Sequence, residues 1–263
     1  MSDTNGARIG CVRYLNSKPL IHGHDAEVSF EVPASLADGL HDGRLDVALS
    51  PIFELIAHPG YLVVDDVAIA SRGAVFSVFI AYAGDFDRLH TLFLDQDSRT
   101  SFNLQRVLLA EFHDLTPRCE PLPDGRPPDV LKPGEGALII GDPAIEFRLR
   151  HGDRYRYFDL GEEWQRATGL PFVFAAWLVS PGTPEPEALG ERLRAWRREG
   201  QGRVESIVAA EHRFPAELSR RYLTEFIRFR LGTEEKQAIR EFARLLYQHG
   251  VVKGGPFTEP RWV

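Results

Sequence analysis

A run of polar residues at 97–101, Asp-Ser-Arg-Thr-Ser, is the stretch of this sequence best suited to bind a small acidic molecule. A short apolar run at 92–94 precedes it, and an amphipathic run with helical spacing follows at 104–112. This order predicts a strand, a polar turn and a helix. Hydroxyl groups and backbone N–H groups in the first turn of a helix bind carboxylates and phosphates. Arg99 is the arginine best placed to pair with a carboxylate through two hydrogen bonds.

Small polar residues also follow several other apolar runs that are typical of buried strands. In open α/β sheets, ligands bind beside the carboxyl ends of the strands, so this repetition predicts a cleft lined by strand ends. The residues concerned are Asn16, Ser17, Ser50, Ser71, Ser98, Thr100, Ser101, Gly141 and Asp142. Asn16 and Asp142 have an alternative role as helix caps, since Asp142 stands before Pro143, a favourable first residue of a helix.

Several familiar catalytic and metal-binding motifs are absent from the sequence. It contains no glycine-rich dinucleotide or phosphate loop, no Gly-x-Ser-x-Gly elbow and no His-Glu-x-x-His. His22 and His24 are close together but have no third ligand nearby, so no metal site is predicted. Ser101 has no evident base partner, which argues against a hydrolase triad. Cys11 and Cys119 are far apart in the sequence and are expected to be reduced thiols.

The composition argues for a globular protein that does not bind nucleic acid. The chain has 263 residues, of which 43% are hydrophobic and 26% are charged, so a sizeable core is expected. Its 31 lysine and arginine residues and 38 aspartate and glutamate residues give a net charge of −7, which disfavours nucleic acid as a partner. Residues 1–8 contain no signal-like apolar segment, and no apolar run is long enough to span a membrane. We therefore expect a soluble, cytoplasmic protein without a membrane partner.

Two β-prone runs, at 77–82 and 172–179, bracket the middle of the chain and predict two crossings between two lobes. The predicted first lobe is discontinuous and comprises residues 1–82 and 174–263, including four C-terminal helices. The predicted second lobe is the inserted segment 83–173. The fold class is therefore α/β, with two lobes that close on a ligand in the cleft between them.

Six short motifs are spread over the first two thirds of the chain. They are Tyr14-Leu15-Asn16-Ser17-x-Pro19-Leu20, Leu45-Asp46-Val47-Ala48-Leu49-x-Pro51, Ile69-Ala70-Ser71-x-Gly73, Asp97-Ser98-Arg99-Thr100-Ser101, Ile140-Gly141-Asp142, and Asp159-Leu160-Gly161-x-x-Trp164 followed by residues 168–175. Taken together, these motifs resemble the chorismate dehydratase family of the futalosine route to menaquinone. The resemblance extends from the first predicted strand to about Trp177, and the C-terminal helices carry no matching motif.

The resemblance implies a type II periplasmic-binding-protein-like fold and the conversion of chorismate to 3-(1-carboxyvinyloxy)benzoate and water, without a cofactor. Asn16 matches an Asn that lies against the substrate in the family, and as the catalytic residue it would orient the substrate and help its hydroxyl group to leave. Thr100 and Ser101 would hold a substrate carboxylate. Other candidate substrate-binding residues are Ser17, Ser50, Ser71, Ser77, Ser98, Arg99, Gly141 and Asp142.

Other functions stay open on the sequence alone. One is 1,4-dihydroxy-6-naphthoate synthase, a later pathway enzyme of related fold, although the Tyr-Leu-Asn-Ser and Ser-Arg-Thr-Ser motifs favour the dehydratase. Another is a non-catalytic small-carboxylate-binding protein, which would need a signal for export. A cytoplasmic ligand sensor would normally carry an attached DNA-binding or signalling module. The sequence leaves the choice between a monomer and a homodimer open.

Overall fold

Two five-stranded sheets form the framework of the computed structural model, which describes residues 6–94, 98–123, 127–128 and 130–263. Asp97, the first residue of the polar run, lies outside the described residues. The strands are β1 (Ile9–Cys11), β2 (Val28–Phe30), β3 (Val47–Pro51), β4 (Leu62–Ser71), β5 (Val78–Tyr82), β6 (Thr91–Leu94), β7 (Arg118–Pro121), β8 (Glu135–Ile140), β9 (Arg156–Asp159) and β10 (Phe172–Val179).

The first sheet has the strand order β2-β1-β3-β10-β4. Strand β1 is parallel to β2 and β3, whereas β10 is antiparallel to β3 and β4. Every residue of β1 and β3 is buried, which is typical of strands covered by helices on both faces. In β4, Asp66 has a left-handed φ of 59°, and the pairing of β4 with β10 shifts register twice. The sequence at 61–64 and 66–70 reads as two short β-prone runs, which the structure joins in one irregular strand.

The second sheet has the strand order β7-β6-β8-β5-β9. Strand β6 is parallel to β7 and β8, whereas β5 is antiparallel to β8 and β9. The prolines of residues 117–133 predict mostly surface loop, but the first part of this stretch forms β7. Proline is tolerated there because β7 is an edge strand, with only one neighbour to pair with.

Helices pack on both sheets. They are α1 (Lys18–Ile21), α2 (Pro33–His41), α3 (Ile52–Ala57), α4 (Arg99–His113), α5 (Gly141–His151), α6 (Leu160–Thr168), α7 (Pro186–Gln201), α8 (Val204–Ala210), α9 (Ala216–Arg221) and α10 (Thr233–Gln248). Helix α2 contacts β3, α7 contacts β4, α5 contacts β8 and α6 contacts β5. In the described ranges, no helix is both long enough and apolar enough to cross a membrane. A π-helical turn, Tyr222–Phe226, continues α9.

Strand β5 belongs to the second sheet, where it pairs with β8 on one side and with β9 on the other. The boundary predicted between residues 82 and 83 instead assigns this strand to the first lobe. An apolar run does not reveal which sheet it joins, because its pairing partners are distant in sequence. The chain crosses to the second sheet between β4 and β5 and returns between β9 and β10. The division into two lobes that move stays a prediction.

One continuous apolar core extends through both sheets. Within it, Trp164 of α6, Phe172 of β10 and Phe242 of α10 are fully buried and contact one another edge to face. The indole N–H of Trp164 donates a hydrogen bond of 2.9 Å to the carbonyl of Pro171. These contacts join α6, the returning strand and α10, so they fix the second crossing against the first sheet.

Candidate active site

A cleft lies between the two sheets, where α4 and α5 begin and where the turn after β1 ends. Its empty volume is about 580 Å³, counting the part that is open to solvent. The wall is mostly apolar, with polar groups converging from both sheets, as in a small-molecule site. The lining residues are Val12, Tyr14, Asn16, Pro33, Leu49, Pro51, Ile69, Val78, Ser98, Arg99, Thr100, Ser101, Ile140, Gly141, Phe174 and Ala175.

The first turn of α4 brings Ser98, Arg99, Thr100 and Ser101 to the cleft. Ser98 is the residue before the helix, and the next three residues have no helix carbonyl one turn earlier to accept their N–H groups. These N–H groups lie at the positive end of the helix dipole. The buried face that starts at Leu104 packs the helix into the core and so fixes its first turn. The local order of strand, polar turn and helix was predictable from the sequence.

Two side chains of this turn contact helices of the first sheet. Thr100 Oγ1 accepts a hydrogen bond of 3.1 Å from the backbone N–H of Phe53. Arg99 donates to Glu54 Oε1 at 3.1 Å and to Asp38 Oδ1 at 2.7 Å. Burial lowers the pKa of Arg99, but the hydrogen bonds to the two carboxylates outweigh it and raise the pKa. The guanidinium is therefore shared by carboxylates of α2 and α3, and its role in substrate binding stays a prediction.

Gly141 starts α5, so that a second helix begins at the cleft. Its φ is 65°, and its N–H donates a hydrogen bond of 2.8 Å to the carbonyl of Ser77. A Cβ at this position would lie 2.8 Å from the ring of Tyr14, which also lines the cleft. Only glycine satisfies both the backbone angle and this close approach. Two helix N-termini thus reach one cleft, which suits a ligand with two anionic groups.

Asn16 lies in the 3₁₀ turn Leu15–Ser17 that follows β1, and it lines the cleft. Its Nδ2 donates a hydrogen bond of 3.2 Å to the hydroxyl of Tyr222. Its Oδ1 is buried and accepts no hydrogen bond from the described residues. Ser17 does not line the cleft, because its hydroxyl bonds to the carbonyls of Val12 and Tyr14 at 2.7 and 2.8 Å and holds the turn. Asn16 therefore has an unused acceptor for a ligand.

Asp142 is buried behind the start of α5 and does not line the cleft. Its Oδ1 accepts a hydrogen bond of 2.9 Å from the N–H of Leu15, and its Oδ2 forms an ion pair of 2.7 Å with Arg213. Burial raises the pKa of Asp142 despite these partners. The alternative role as a cap of its own helix is not found, since Ile140 is the residue before that helix. Asp142 instead ties α5 to the turn that carries Asn16.

Ser50, Ser71 and Ser77 are fully buried and are not among the lining residues. The neighbours of Ser50 in β3 line the cleft, and successive residues of a strand face opposite sides, so Ser50 faces away from it. Ser71 donates a hydrogen bond of 3.1 Å to the carbonyl of Gly73, and Ser77 shares one of 2.7 Å with Tyr222. Each of these serines stands at the end of a strand, as its position beside an apolar run indicated. The apolar run does not show, however, to which side of the sheet the serine side chain points.

The C-terminal segment supplies residues that support the cleft from behind its wall and that no sequence motif indicated. Glu211 forms ion pairs with Arg213 at 2.9 Å and with Lys18 at 2.8 Å. Burial opposes its ionisation, but the hydrogen bonds from Arg213 and Lys18 lower the pKa of Glu211 to about 2. Because Arg213 also pairs with Asp142, a chain of charges connects α1, next to the turn of Asn16, with α5. Glu211 and Arg213 pair with residues that are distant in sequence, Lys18 and Asp142, so no local sequence pattern indicated these ion pairs.

The polar groups of the residues on the cleft wall are hydroxyls, the Asn16 amide, the Arg99 guanidinium and backbone N–H groups, which suit an anion rather than a cation. Among the described residues, no group of three or more His, Cys, Asp or Glu side chains is placed to hold a metal ion. The arrangement can bind a small molecule with anionic groups and can accept a hydrogen bond from it at Asn16.

Residues 7–248 match a family model described as menaquinone biosynthesis, which covers most of the chain. The chain belongs to the menaquinone biosynthesis family. A chorismate dehydratase of Thermus thermophilus is 32% identical over 261 residues, covering 90% of this chain and 94% of the relative. A chorismate dehydratase of Campylobacter jejuni is 26% identical over 237 residues, covering 88% of this chain and 89% of the relative.

Solved structures support the fold of this menaquinone biosynthesis family member. A protein from Archaeoglobus fulgidus matches with a TM-score of 0.72 at 11% identity, over 95% of this chain and 100% of that protein. The periplasmic aliphatic sulphonate binding protein SsuA from Escherichia coli matches with a TM-score of 0.60 at 16% identity, over 98% of this chain and 93% of SsuA. At these identities the likeness shows the fold alone. The predicted α/β periplasmic-binding-protein-like fold is confirmed.

Proposed function

We propose that this protein is a chorismate dehydratase, a carbon–oxygen lyase that converts chorismate to 3-(1-carboxyvinyloxy)benzoate and water. The observation that carries the proposal is the convergence of two helix N-termini and the unused Oδ1 of Asn16 on one cleft. Chorismate has two carboxylates and a ring hydroxyl, so its polar groups match this arrangement in number and kind. The two relatives described above carry the name of the same enzyme, which supports the assignment.

The proposed reaction removes a proton from one ring carbon and the hydroxyl group from the neighbouring carbon. The electron pair of the C–H bond forms the new ring double bond, and the pair of the C–O bond leaves with the hydroxyl, which combines with the proton as water. No other molecule is oxidised or reduced, and the new aromatic ring makes the reaction strongly downhill. The protein then has to orient the substrate, exclude water and assist proton movement. We therefore propose a cytoplasmic reaction without a cofactor, as the family resemblance implies.

Asn16 is the proposed catalytic residue. Its Oδ1 would accept a hydrogen bond from the ring hydroxyl and hold the C–O bond in the orientation needed for cleavage. A neutral amide is a poor base, so we propose that a substrate carboxylate takes the ring proton and returns it to the departing hydroxyl. The first turn of α4, with Ser98, Thr100 and Ser101, would hold one carboxylate, and the start of α5 at Gly141 would face the other.

The test is to incubate the purified protein with chorismate and to follow the loss of diene absorbance together with the mass of the product. The proposal expects a product that is lighter by one water molecule. Unchanged chorismate would refute it. Binding of chorismate without turnover, measured by calorimetry, would instead identify a small-carboxylate-binding protein. If chorismate is neither bound nor converted, the result would favour the 1,4-dihydroxy-6-naphthoate synthase alternative.

A further inference from the structure

Tyr222 connects the two sheets behind the cleft. Its side chain is fully buried, and its hydroxyl lies 3.2 Å from Asn16 Nδ2 and 2.7 Å from Ser77 Oγ. Asn16 belongs to the turn after β1 of the first sheet, and Ser77 directly precedes β5 of the second. We propose that Tyr222 is a positioning residue whose hydroxyl holds the Asn16 amide so that Oδ1, and not the NH₂ group, faces the substrate. This inference rests on the proposed function.

The direction of the hydrogen bonds supports this role. An asparagine amide has an acceptor oxygen and a donor nitrogen, and a half-turn of the side chain exchanges them. Here Asn16 Nδ2 donates to Tyr222, which leaves Oδ1 as the free acceptor. The tyrosine oxygen accepts this bond, and either hydroxyl can be the donor in its 2.7 Å contact with Ser77. The contact with Ser77 holds the tyrosine oxygen from the second sheet while Asn16 donates to it from the first.

The position of the Tyr222 hydroxyl is itself fixed from both sheets. Tyr222 starts the π-helical turn Tyr222–Phe226, a feature that is frequent at functional sites. The ring of Phe226 stacks on that of Phe76, with the ring centroids 5.2 Å apart. Two residues further on, Arg228 and Ala70 of β4 exchange two backbone hydrogen bonds of 2.8 and 2.9 Å. The segment from Tyr222 to Arg228 therefore pairs with β4 at the edge of the first sheet, and through Phe76 it also contacts the connection that leads to the second sheet.

Tyr222 is suited to hold a neighbour rather than to transfer a proton. Burial raises the pKa of Tyr222, so the hydroxyl stays protonated through the physiological range. Its removal should therefore lower the rate without changing the shape of the pH profile of kcat. A residue that acted as an acid or base would change that shape.

The kinetic test is Tyr222→Phe, which removes one oxygen atom and keeps the ring. We expect kcat on chorismate to fall by about 10- to 100-fold, since a displacement of about 1 Å can cost about 100-fold in rate. KM should change by less than about 3-fold, because the Tyr222 hydroxyl bonds to Asn16 and Ser77 and not to the carboxylate-binding turns. Tyr155→Phe is the matched control, since Tyr155 is also buried and its hydroxyl also bonds, at 3.1 Å, to the N–H of Leu131. It should lower stability comparably and leave kcat unchanged.

A second measurement does not depend on activity. In ¹⁵N-labelled wild-type protein, the side-chain amide protons of Asn16 should show a nuclear Overhauser effect to the ring of Tyr222. Asn16→Ser assigns the resonances by removing them, and Tyr222→Phe should shift them. Each of three results would overturn the proposal: no nuclear Overhauser effect between Asn16 and Tyr222, unshifted Asn16 amide resonances in Tyr222→Phe, or a wild-type kcat in that variant. If wild-type protein leaves chorismate unchanged, the proposed function fails, whereas the nuclear Overhauser effect still tests the contact.

Discussion

Replacing Glu211 with Gln is expected to lower the free energy of unfolding by about 2 kcal/mol at neutral pH. The side chain of Glu211 is 2% exposed and forms ion pairs with Lys18 and Arg213. These partners lower the pKa of Glu211 from 4.5 to about 2. A shift of this size is equivalent to about 3 kcal/mol of stabilisation. The side chains of Lys18 and Arg213 are 35% and 45% exposed, so solvent screening reduces the figure to about 2 kcal/mol.

The same pKa shift of Glu211 sets the pH dependence. The unfolded chain binds a proton at this group near pH 4.5, whereas the folded chain binds it only near pH 2. The stabilisation is therefore fully present above the unfolded pKa, and it is lost as the pH falls from the unfolded value towards the folded value. The glutamine variant lacks this contribution at every pH. The difference in stability between wild type and variant should thus shrink as the pH is lowered from about 5 to about 3.

Urea unfolding followed by tryptophan fluorescence, at several pH values between neutral and about pH 3.5, measures this difference for Glu211→Gln. Glu225→Gln is the matched control, because Glu225 pairs with Arg221 at 3.0 Å but its side chain is 56% exposed. Its effect should stay within about 0.5 kcal/mol. Equal effects of the two variants, or a difference for Glu211→Gln that does not shrink in acid, would refute the reasoning.

Three further variants test the cleft. Asn16→Ala should abolish turnover of chorismate while the protein stays folded, and full activity would contradict its role. Thr100→Val combined with Ser101→Ala should raise KM by at least about 10-fold, since a hydrogen bond to a charged group is worth about 1.5–3 kcal/mol; an unchanged KM in steady-state kinetics would count against the carboxylate site. Gly141→Ala should cost about 1–2 kcal/mol for its left-handed φ. Its Cβ should also displace Tyr14 from the cleft wall and raise KM, which unfolding and kinetic measurements would show together.

Much of the fold was predictable, because its signals are local. The apolar run before residue 95 and the amphipathic run after it specify β6 and α4, and Pro143 close to the start of α5 marks the beginning of that helix. Sheet membership is not a local property. Strand β5 and the run before residue 95 look alike in sequence, and only the pairing of β5 with β8 and β9 shows that it belongs to the second sheet.

The candidate site divides in the same way. Thr100 and Ser101 reach the cleft because their place in the first turn of α4 is set by the sequence around them. Ser50 does not, because a shift of one residue along a strand reverses the direction of the side chain. Arg99 was chosen for its ability to pair with a carboxylate, and it does so, but with Asp38 and Glu54 of the protein. Residue type predicted the chemistry in this case, and only the tertiary structure revealed the partner.

The division between the motif-bearing and motif-free parts of the chain has a physical basis. Each of the six motifs contributes at least one residue to the cleft wall. Tyr222 and Arg213 do not themselves line the cleft; Tyr222 bonds to the wall residue Asn16, and Arg213 pairs with Asp142 behind the wall. Such a contact needs one suitable side chain at one point in space, so it leaves no pattern in the neighbouring sequence. Substitutions in the C-terminal segment should therefore change kcat more than KM, whereas substitutions in the first turn of α4 should do the reverse.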